Sequence, residues 1–206
     1  SGFSDPLNFK DVRSYKDRWN EARNTSGTKE VFLVGIGEIK GIKVCVAHMN
    51  YFFLAGSVGQ AGAEGLVKAA EECVTRQIPL VVFCTSGGMR MQTGVLSLAT
   101  LQKCTIAMQI VKDAKMPIIN CWQDPLFGGT TASFASLGDI ILAEPGARAG
   151  FAGKRVVEQT INEPLPADFQ TTESLFSTGF IDQIVHRKEM KNKIVQILSL
   201  LLKRAA

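Results

Sequence analysis

The order of apolar and polar positions divides the 206-residue chain into alternating strands and helices. Residues 1–30 are polar and charged and predict a lead-in segment. Its short helix ends near Gly27, a residue type that closes helices in the left-handed conformation. Two apolar stretches follow, residues 31–36 and 42–49, and the turn around Lys40-Gly41 makes them a hairpin. After Gly56-Ser57-Val58-Gly59 the pattern takes a helical period from about Ala61 to Arg76. A repeated arrangement comes next. Residues 78–84 are a nearly unbroken apolar run, as in a strand buried on both faces. The run ends in Thr85-Ser86-Gly87-Gly88, and a helix is predicted from near Met91 to beyond Lys112. Residues 116–122 form a second such strand, ending in Gln123-Asp124-Pro125-Leu126-Phe127-Gly128-Gly129, with a small-residue helix expected over 130–137. Residues 139–143 read as a third strand, 169–179 as a helix and 181–185 as a short strand. An amphipathic helix over 189–204 closes the chain, and its leucines point to docking or partner contact. This alternation predicts an α/β fold with βαβ units and a mainly parallel sheet, as one domain over 1–206 with 1–30 as its lead-in.

Composition narrows the function classes. Apolar residues make up 46% and charged residues 20%, which suits a soluble globular protein with a sizeable core. The net charge of +4 is spread along the chain. It gives no nucleic-acid footprint and tolerates an anionic ligand, although a plain solvated surface is the simpler explanation. No apolar run approaches the roughly 20 residues that cross a bilayer, and no secretory leader is visible. The expectation is a cytoplasmic protein that binds neither nucleic acid nor membrane. The five cysteines are an odd number without a CxxC pair. They read as reduced, buried thiols, with no metal site. Ser1-Gly2 reads as a cloning remnant.

The chemistry concentrates at two strand ends. Each apolar strand runs into Gly-Gly with a helix predicted beyond it. Glycine lets a ligand approach the backbone, and unpaired N–H groups at a helix start favour an anion or oxyanion. One such pair alone reads better as a tight turn requiring positive φ. Two pairs at the same topological place are more informative. Phosphate-loop, HExxH, GxSxG and dinucleotide patterns are absent. His48 reads as a structural strand residue and His186-Arg187-Lys188 as a solvated basic turn, so His-based acid–base chemistry has little support.

Asp5-Pro6-Leu7, Tyr15-Lys16-Asp17-Arg18, Gly56-Ser57-Val58-Gly59, Ser86-Gly87-Gly88-Met89-Arg90-Met91-Gln92, Asp124-Pro125 with Gly128-Gly129, Ala132-Ser133-Phe134-Ala135 and Gly150-Phe151-Ala152-Gly153-Lys154-Arg155-Val156-Val157-Glu158-Gln159-Thr160 occur in one order along nearly the whole chain. In these residues the chain resembles the β subunit of acetyl-CoA carboxylase carboxyltransferase, of the crotonase-like superfamily. The resemblance implies a crotonase-like (ClpP/crotonase) fold of repeated ββα units. It implies transfer of a carboxyl group from carboxybiotin to acetyl-CoA or a similar acyl-CoA, giving malonyl-CoA for fatty acid biosynthesis in an ATP-dependent complex. It implies no covalently bound cofactor, an α-type carboxyltransferase partner in an α2β2 assembly, and a biotin carboxyl carrier protein. The compartment would be the cytoplasm, or the plastid stroma for a plant or alga. On this basis Gly87, Gly88, Gly128 and Gly129 are the expected oxyanion and thioester-positioning residues. Gly56, Ser57, Gly59, Ser86, Met89, Arg90, Phe151 and Gly153 are expected to shape the substrate site. For Arg90, a contact to a CoA phosphate and a structural ion pair stand as equal readings.

Three departures qualify the resemblance. The family's N-terminal four-cysteine zinc ribbon has no counterpart, so no zinc is expected, whether the chain is trimmed or a shortened relative. Met89 stands where the family motif has Ala, and Thr93 where it has Glu. Leu126-Phe127 replace a Thr-Thr pair before the second Gly-Gly. Met89 is expected to narrow the pocket. These changes leave room for a specialised homologue, for a biotin-independent decarboxylase or hydrolase of a malonyl-type thioester, and for a non-catalytic CoA-binding relative.

Overall fold

A computed structural model describes residues 3–202. The reading of Ser1-Gly2 and the last turn of the predicted C-terminal helix lie outside these residues. Helix α1 (Tyr15–Ser26) is capped by the Ser14 side chain, which accepts from the Asp17 amide, and ends at left-handed Gly27. Strands β1 (Phe32–Ile39) and β2 (Ile42–Met49) form the expected antiparallel hairpin. Helix α2 (Gln60–Arg76) leads to β3 (Leu80–Ser86), and α3 (Val95–Asp113) leads to β4 (Ile118–Phe127). Then come β5 (Ile140–Ala143), β6 (Ala149–Gly150), α4 (Lys154–Ile161), α5 (Thr172–Ser177), β7 (Gln183–Ile184) and α6 (Arg187–Leu201).

The strands form one sheet in the order β1-β2-β3-β4-β5-β7, with β6 on the far end of β4. Every pairing after the hairpin is parallel. The unbroken apolar runs follow from layers on both faces. Leu80, Val82 and Cys84 of β3 face the α2–α3 side with Leu66, Ala70 and Met108. Val81 of β3, with Ile119 and Cys121 of β4, faces α6 through Met190, Ile194 and Leu198. The leucine-rich C-terminal helix therefore docks on its own sheet, while Leu200 and Leu201 stay exposed.

Several predicted boundaries move for identifiable reasons. Strand β4 continues through Asp124-Pro125, which reads as a break, because Leu126 donates to the Arg148 carbonyl and pairs with β6. The predicted helix over 130–137 is only a turn and a 3₁₀ segment, Phe134–Ser136. Its carbonyls are taken elsewhere: Asn120 Nδ2 donates to those of Phe134 and Ala135, and Trp122 Nε1 to that of Ala135. The hydroxyls of Thr131, Ser133 and Ser136 bond to nearby backbone oxygens, which competes with a helical ladder. A helix does not begin at Met91 either. A 3₁₀ turn, Met91–Thr93, and left-handed Gly94 precede α3. The helix predicted over 169–179 shortens to α5 because Thr171 caps it by accepting from the Ser174 amide. Helix α4 is absent from the sequence reading, although Gly153 and left-handed Asn162 bracket it.

Candidate active site

The two Gly-Gly turns, 41 residues apart in sequence, meet at the carboxyl ends of β3 and β4. A methyl group built on Gly88 would lie 3.5 Å from Gly128 Cα, and one on Gly128 would lie 3.1 Å from Gly88 Cα. Both glycines have positive φ, 118° and 69°. A side chain at position 128 would crowd the Gly88 backbone, whereas at position 88 the contact is ordinary and the positive φ is what favours glycine. Ser86 locks the contact from inside. Its buried hydroxyl accepts from the Gly88 amide at 2.9 Å and from Thr130 Oγ1 at 3.0 Å, and donates to the Gly56 carbonyl at 2.7 Å.

The amide inventory changes which groups remain for a ligand. Gly87 donates to the Ala55 carbonyl at 2.8 Å and Gly88 to Ser86 Oγ. Gly128 donates to the carbonyls of Gly150 and Phe151, at 3.1 and 2.9 Å. Three of the four expected oxyanion amides are therefore already engaged. The N–H groups of Met89 and Gly129 have no acceptor among the described residues, and those of Thr130 and Thr131, further along the second turn, have none either. Met89 lies between the two hydrogen bonds of a parallel bridge, in which Val58 donates to Gly88 and Arg90 donates to Val58. Extended backbone alternates its polar groups, so the Met89 N–H is directed away from Val58. The Met89 side chain covers Gly129: a methyl group there would fall 2.6 Å from Met89 Cγ. Because neither turn passes directly into a helix, the unspent amides themselves, rather than a helix dipole, supply the donors.

The remaining expected residues divide between support and wall. Gly56 packs against β3, where a Cβ would meet the Thr85 carbonyl at 2.6 Å. Gly59 packs on the Arg90 guanidinium. The two readings of Arg90 are decided for the ion pair. Its side chain is 1% exposed and bonds to both Glu30 oxygens at 3.0 and 3.2 Å, to the Tyr15 phenol at 3.2 Å, and to the carbonyl and hydroxyl of Ser57. With every donor group directed inward, none is left for a CoA phosphate. Burial opposes the Arg90 charge, but Glu30 more than offsets it and holds the pKa above the ordinary value. Burial likewise pushes the Tyr15 phenol up, against the pull of Arg90. Phe151 is 71% exposed and contributes its carbonyl to Gly128. Gly153 caps α4 beside a cavity of about 450 Å³ shared by Phe127, Arg148, Lys154, Arg155 and Phe169. Glu158 accepts from the Leu165 amide at 3.4 Å, a bonding rather than an acidic role. A larger cleft of about 540 Å³ at Ile36, Glu38, Lys43 and Ile78 lies at the opposite, amino ends of β2 and β3.

No histidine or cysteine stands at the turns. His48 is half-buried on the sheet against Phe83, and burial lowers its pKa. His186 is no simple solvated turn: its Nδ1 caps α6 by accepting from the Lys188 amide at 3.3 Å. The cysteines are all buried. Among the described residues no cluster of His, Cys, Asp and Glu is placed to hold a metal ion. No helix there is long and apolar enough to cross a membrane.

Glycine turns at the carboxyl ends of adjacent parallel strands, with backbone amides as the polar groups, define a crotonase-like carboxyltransferase domain. The chain belongs to the carboxyl transferase domain family, which matches residues 9–172. Over 203 residues it is 45% identical to the acetyl-coenzyme A carboxylase carboxyl transferase subunit beta of Sinorhizobium medicae, covering 98% of this chain and 66% of that one. The same subunit of Nostoc punctiforme is 45% identical over 197 residues, 96% of this chain and 62% of the relative. The chain thus spans about two thirds of the length of the relatives it matches. Among solved structures, transcarboxylase 12S with methylmalonyl-coenzyme A and methylmalonic acid bound superposes with a TM-score of 0.73 at 26% identity, over 82% of this chain and 32% of that one. The Pseudomonas malonate decarboxylase MdcD-MdcE heterodimer shares the fold, with a TM-score of 0.71 at 21% identity over 84% of this chain and 77% of that one.

Proposed function

We propose that this chain is the β-type half of an acyl-CoA carboxyltransferase, which moves a carboxyl group from carboxybiotin on a carrier protein to acetyl-CoA and so makes malonyl-CoA. The observation that carries this reading is the pair of unspent amides, Met89 and Gly129, at two turns held together through Gly88 and Gly128. Two unspent N–H donors on turns that touch each other suit the oxygen of a thioester that becomes an enolate. Donors fixed before reaction stabilise that charge without reorganising, and losing one typically costs about 3–4 kcal/mol of barrier. Carboxybiotin supplies the carboxyl group and, on departure, a ureido anion able to take the α-proton. The chain then needs no acid or base of its own, in keeping with turns that hold none. Met89 lies over Gly129 and limits the depth available to the acyl chain. An α-type subunit completes the site. The exposed apolar residues Leu7, Met91, Val95 and Leu98, just beyond the Met89 turn, supply a face for it.

The test is transfer of labelled carboxyl from carboxybiotin to acetyl-CoA, with and without an α-type partner. Transfer only with the partner is the expected result. Loss of carboxyl from malonyl-CoA without biotin would replace this reading with a decarboxylase. CoA binding without turnover under any combination would replace it with a non-catalytic one.

A further inference from the structure

The strongest unexplained feature outside the turns is a buried charge network beneath them. It joins three segments distant in sequence: Tyr15 of α1, Glu30 before β1, and Ser57, all gathered by Arg90. The lead-in segment is docked firmly beside it. Phe3 packs on Tyr15 and Trp19 with ring centres 5.1 and 5.2 Å apart, and Trp19 meets Phe53 edge-on. The Arg90 guanidinium lies 5.3 Å from the Phe53 ring. A buried ion pair is a poor source of stability, because desolvation consumes most of its attraction, and apolar residues of similar volume would fill the space as well. What this pair visibly does is tie Tyr15, Glu30 and Ser57 to one guanidinium.

That arrangement bears directly on the Met89 amide. Arg90 returns to bond the carbonyl and hydroxyl of Ser57, the residue before Val58. Val58 is the residue bridged to Gly88 and Arg90. The side-chain clamp and the backbone bridge thus close the same two segments upon each other, and the bridge sets the direction of the Met89 N–H. The Arg90 carbonyl is held from the other side by Thr93 Oγ1 and Ser97 Oγ, at 3.1 and 2.6 Å. We infer that Tyr15 and Glu30 are positioning residues for the proposed oxyanion hole: they anchor Arg90, and Arg90 holds the Val58–Met89 bridge that aims the amide. The inference rests on the carboxyltransferase reading for its catalytic consequence. The clamp itself is a statement about backbone order.

The experiment uses the full chain with its α-type partner and three variants, Tyr15→Phe, Glu30→Ala and Glu30→Asp. Two readouts are taken, amide exchange at Val58 and Arg90 and the kinetics for acetyl-CoA. Tyr15→Phe is expected to speed exchange at these two amides. It should lower kcat about three- to tenfold with KM unchanged, since a misaimed donor is felt in the transition state and not in ground-state binding. Glu30→Ala should lose more, and Glu30→Asp should regain part of the loss. Unchanged exchange overturns the clamp, whatever the kinetics. Faster exchange with kcat unchanged, or with a change in KM alone, overturns the positioning role. If the wild-type complex transfers no carboxyl group, the functional reading falls separately, and exchange at Val58 and Arg90 still decides for or against the clamp.

Discussion

Gly88 and Gly128 approach so closely that the Cβ of an alanine at position 128 would sit 3.1 Å from the Gly88 Cα. The position is also left-handed, at φ 69°, which costs a residue with a side chain about 1–2 kcal/mol. Gly128→Ala is therefore expected to lower the thermal midpoint by several degrees and to reduce kcat more than tenfold, because the turn must move to make room. Thermal unfolding and single-turnover carboxyl transfer check the two effects. A variant with wild-type kcat would show that the contact between the turns is dispensable.

Met89 and Gly129 are expected to behave as a coupled pair. Gly129→Ala places a methyl group 2.6 Å from Met89 Cγ and should cost activity on its own. In a Met89→Ala background that clash is gone, so the second substitution should cost less than it does in the wild type. A double-mutant cycle on kcat/KM measures the difference. Strict additivity would mean that the methionine does not lie over the glycine in solution.

Met89→Ala alone should widen acyl selection. One methylene in an apolar pocket is worth about 1–3 kcal/mol, so the propionyl-to-acetyl ratio of kcat/KM should rise by about tenfold. Affinity for a small carboxylate inhibitor of the hole should change with it. If neither quantity moves, Met89 does not line the pocket.

Val95 is 74% exposed on the first turn of α3, with Met91 and Leu98 nearby. A Val95→Asp/Leu98→Asp double variant should fold normally, because neither side chain is in the core. It should fail to co-purify with the α-type subunit. Retained co-purification would move the interface elsewhere.

Asp124 supplies a pH signature. The Arg148 guanidinium, through its hydrogen bonds, holds the Asp124 carboxyl below its ordinary value of 3.8. A depressed folded pKa stabilises above the unfolded pKa and loses that contribution as pH falls through the folded value. The thermal midpoint of the wild type should thus decline below about pH 4, and Asp124→Asn should flatten that part of the curve. Both side chains are substantially exposed, so the difference will be small and reduced by salt.

The sheet is legible in the sequence because strands buried on both faces leave short, β-branched apolar runs such as residues 80–84, bounded by Pro79 and the Gly87-Gly88 turn. Turn regions were less legible. The small residues of 130–137 read as a helix, but the Phe134 and Ala135 carbonyls are taken by Asn120 and Trp122, partners that sequence order does not reveal. The same limit applied at the site. The Gly-Gly pairs are visible in the sequence as two turns, whereas which of their amides is unspent depends on Ala55, Gly150 and Phe151, all distant in sequence. Arg90 shows the converse. Its chemistry allowed either a phosphate or a carboxylate partner, and only the fold brings Glu30 and Tyr15 to it.

One property of the sheet bears on how the chain is made. Except for the short β6, the strands lie side by side in the order in which they are synthesised, from β1 to β7. Each strand emerging during translation finds its neighbour already present, so the slow non-local pairing of a parallel sheet is reduced to a series of single additions. The two glycine turns flank one such addition, that of β4 to β3. The contact between the Gly88 and Gly128 turns is thus made at a step midway through synthesis, and a ribosome stalled with β6 already outside should display it.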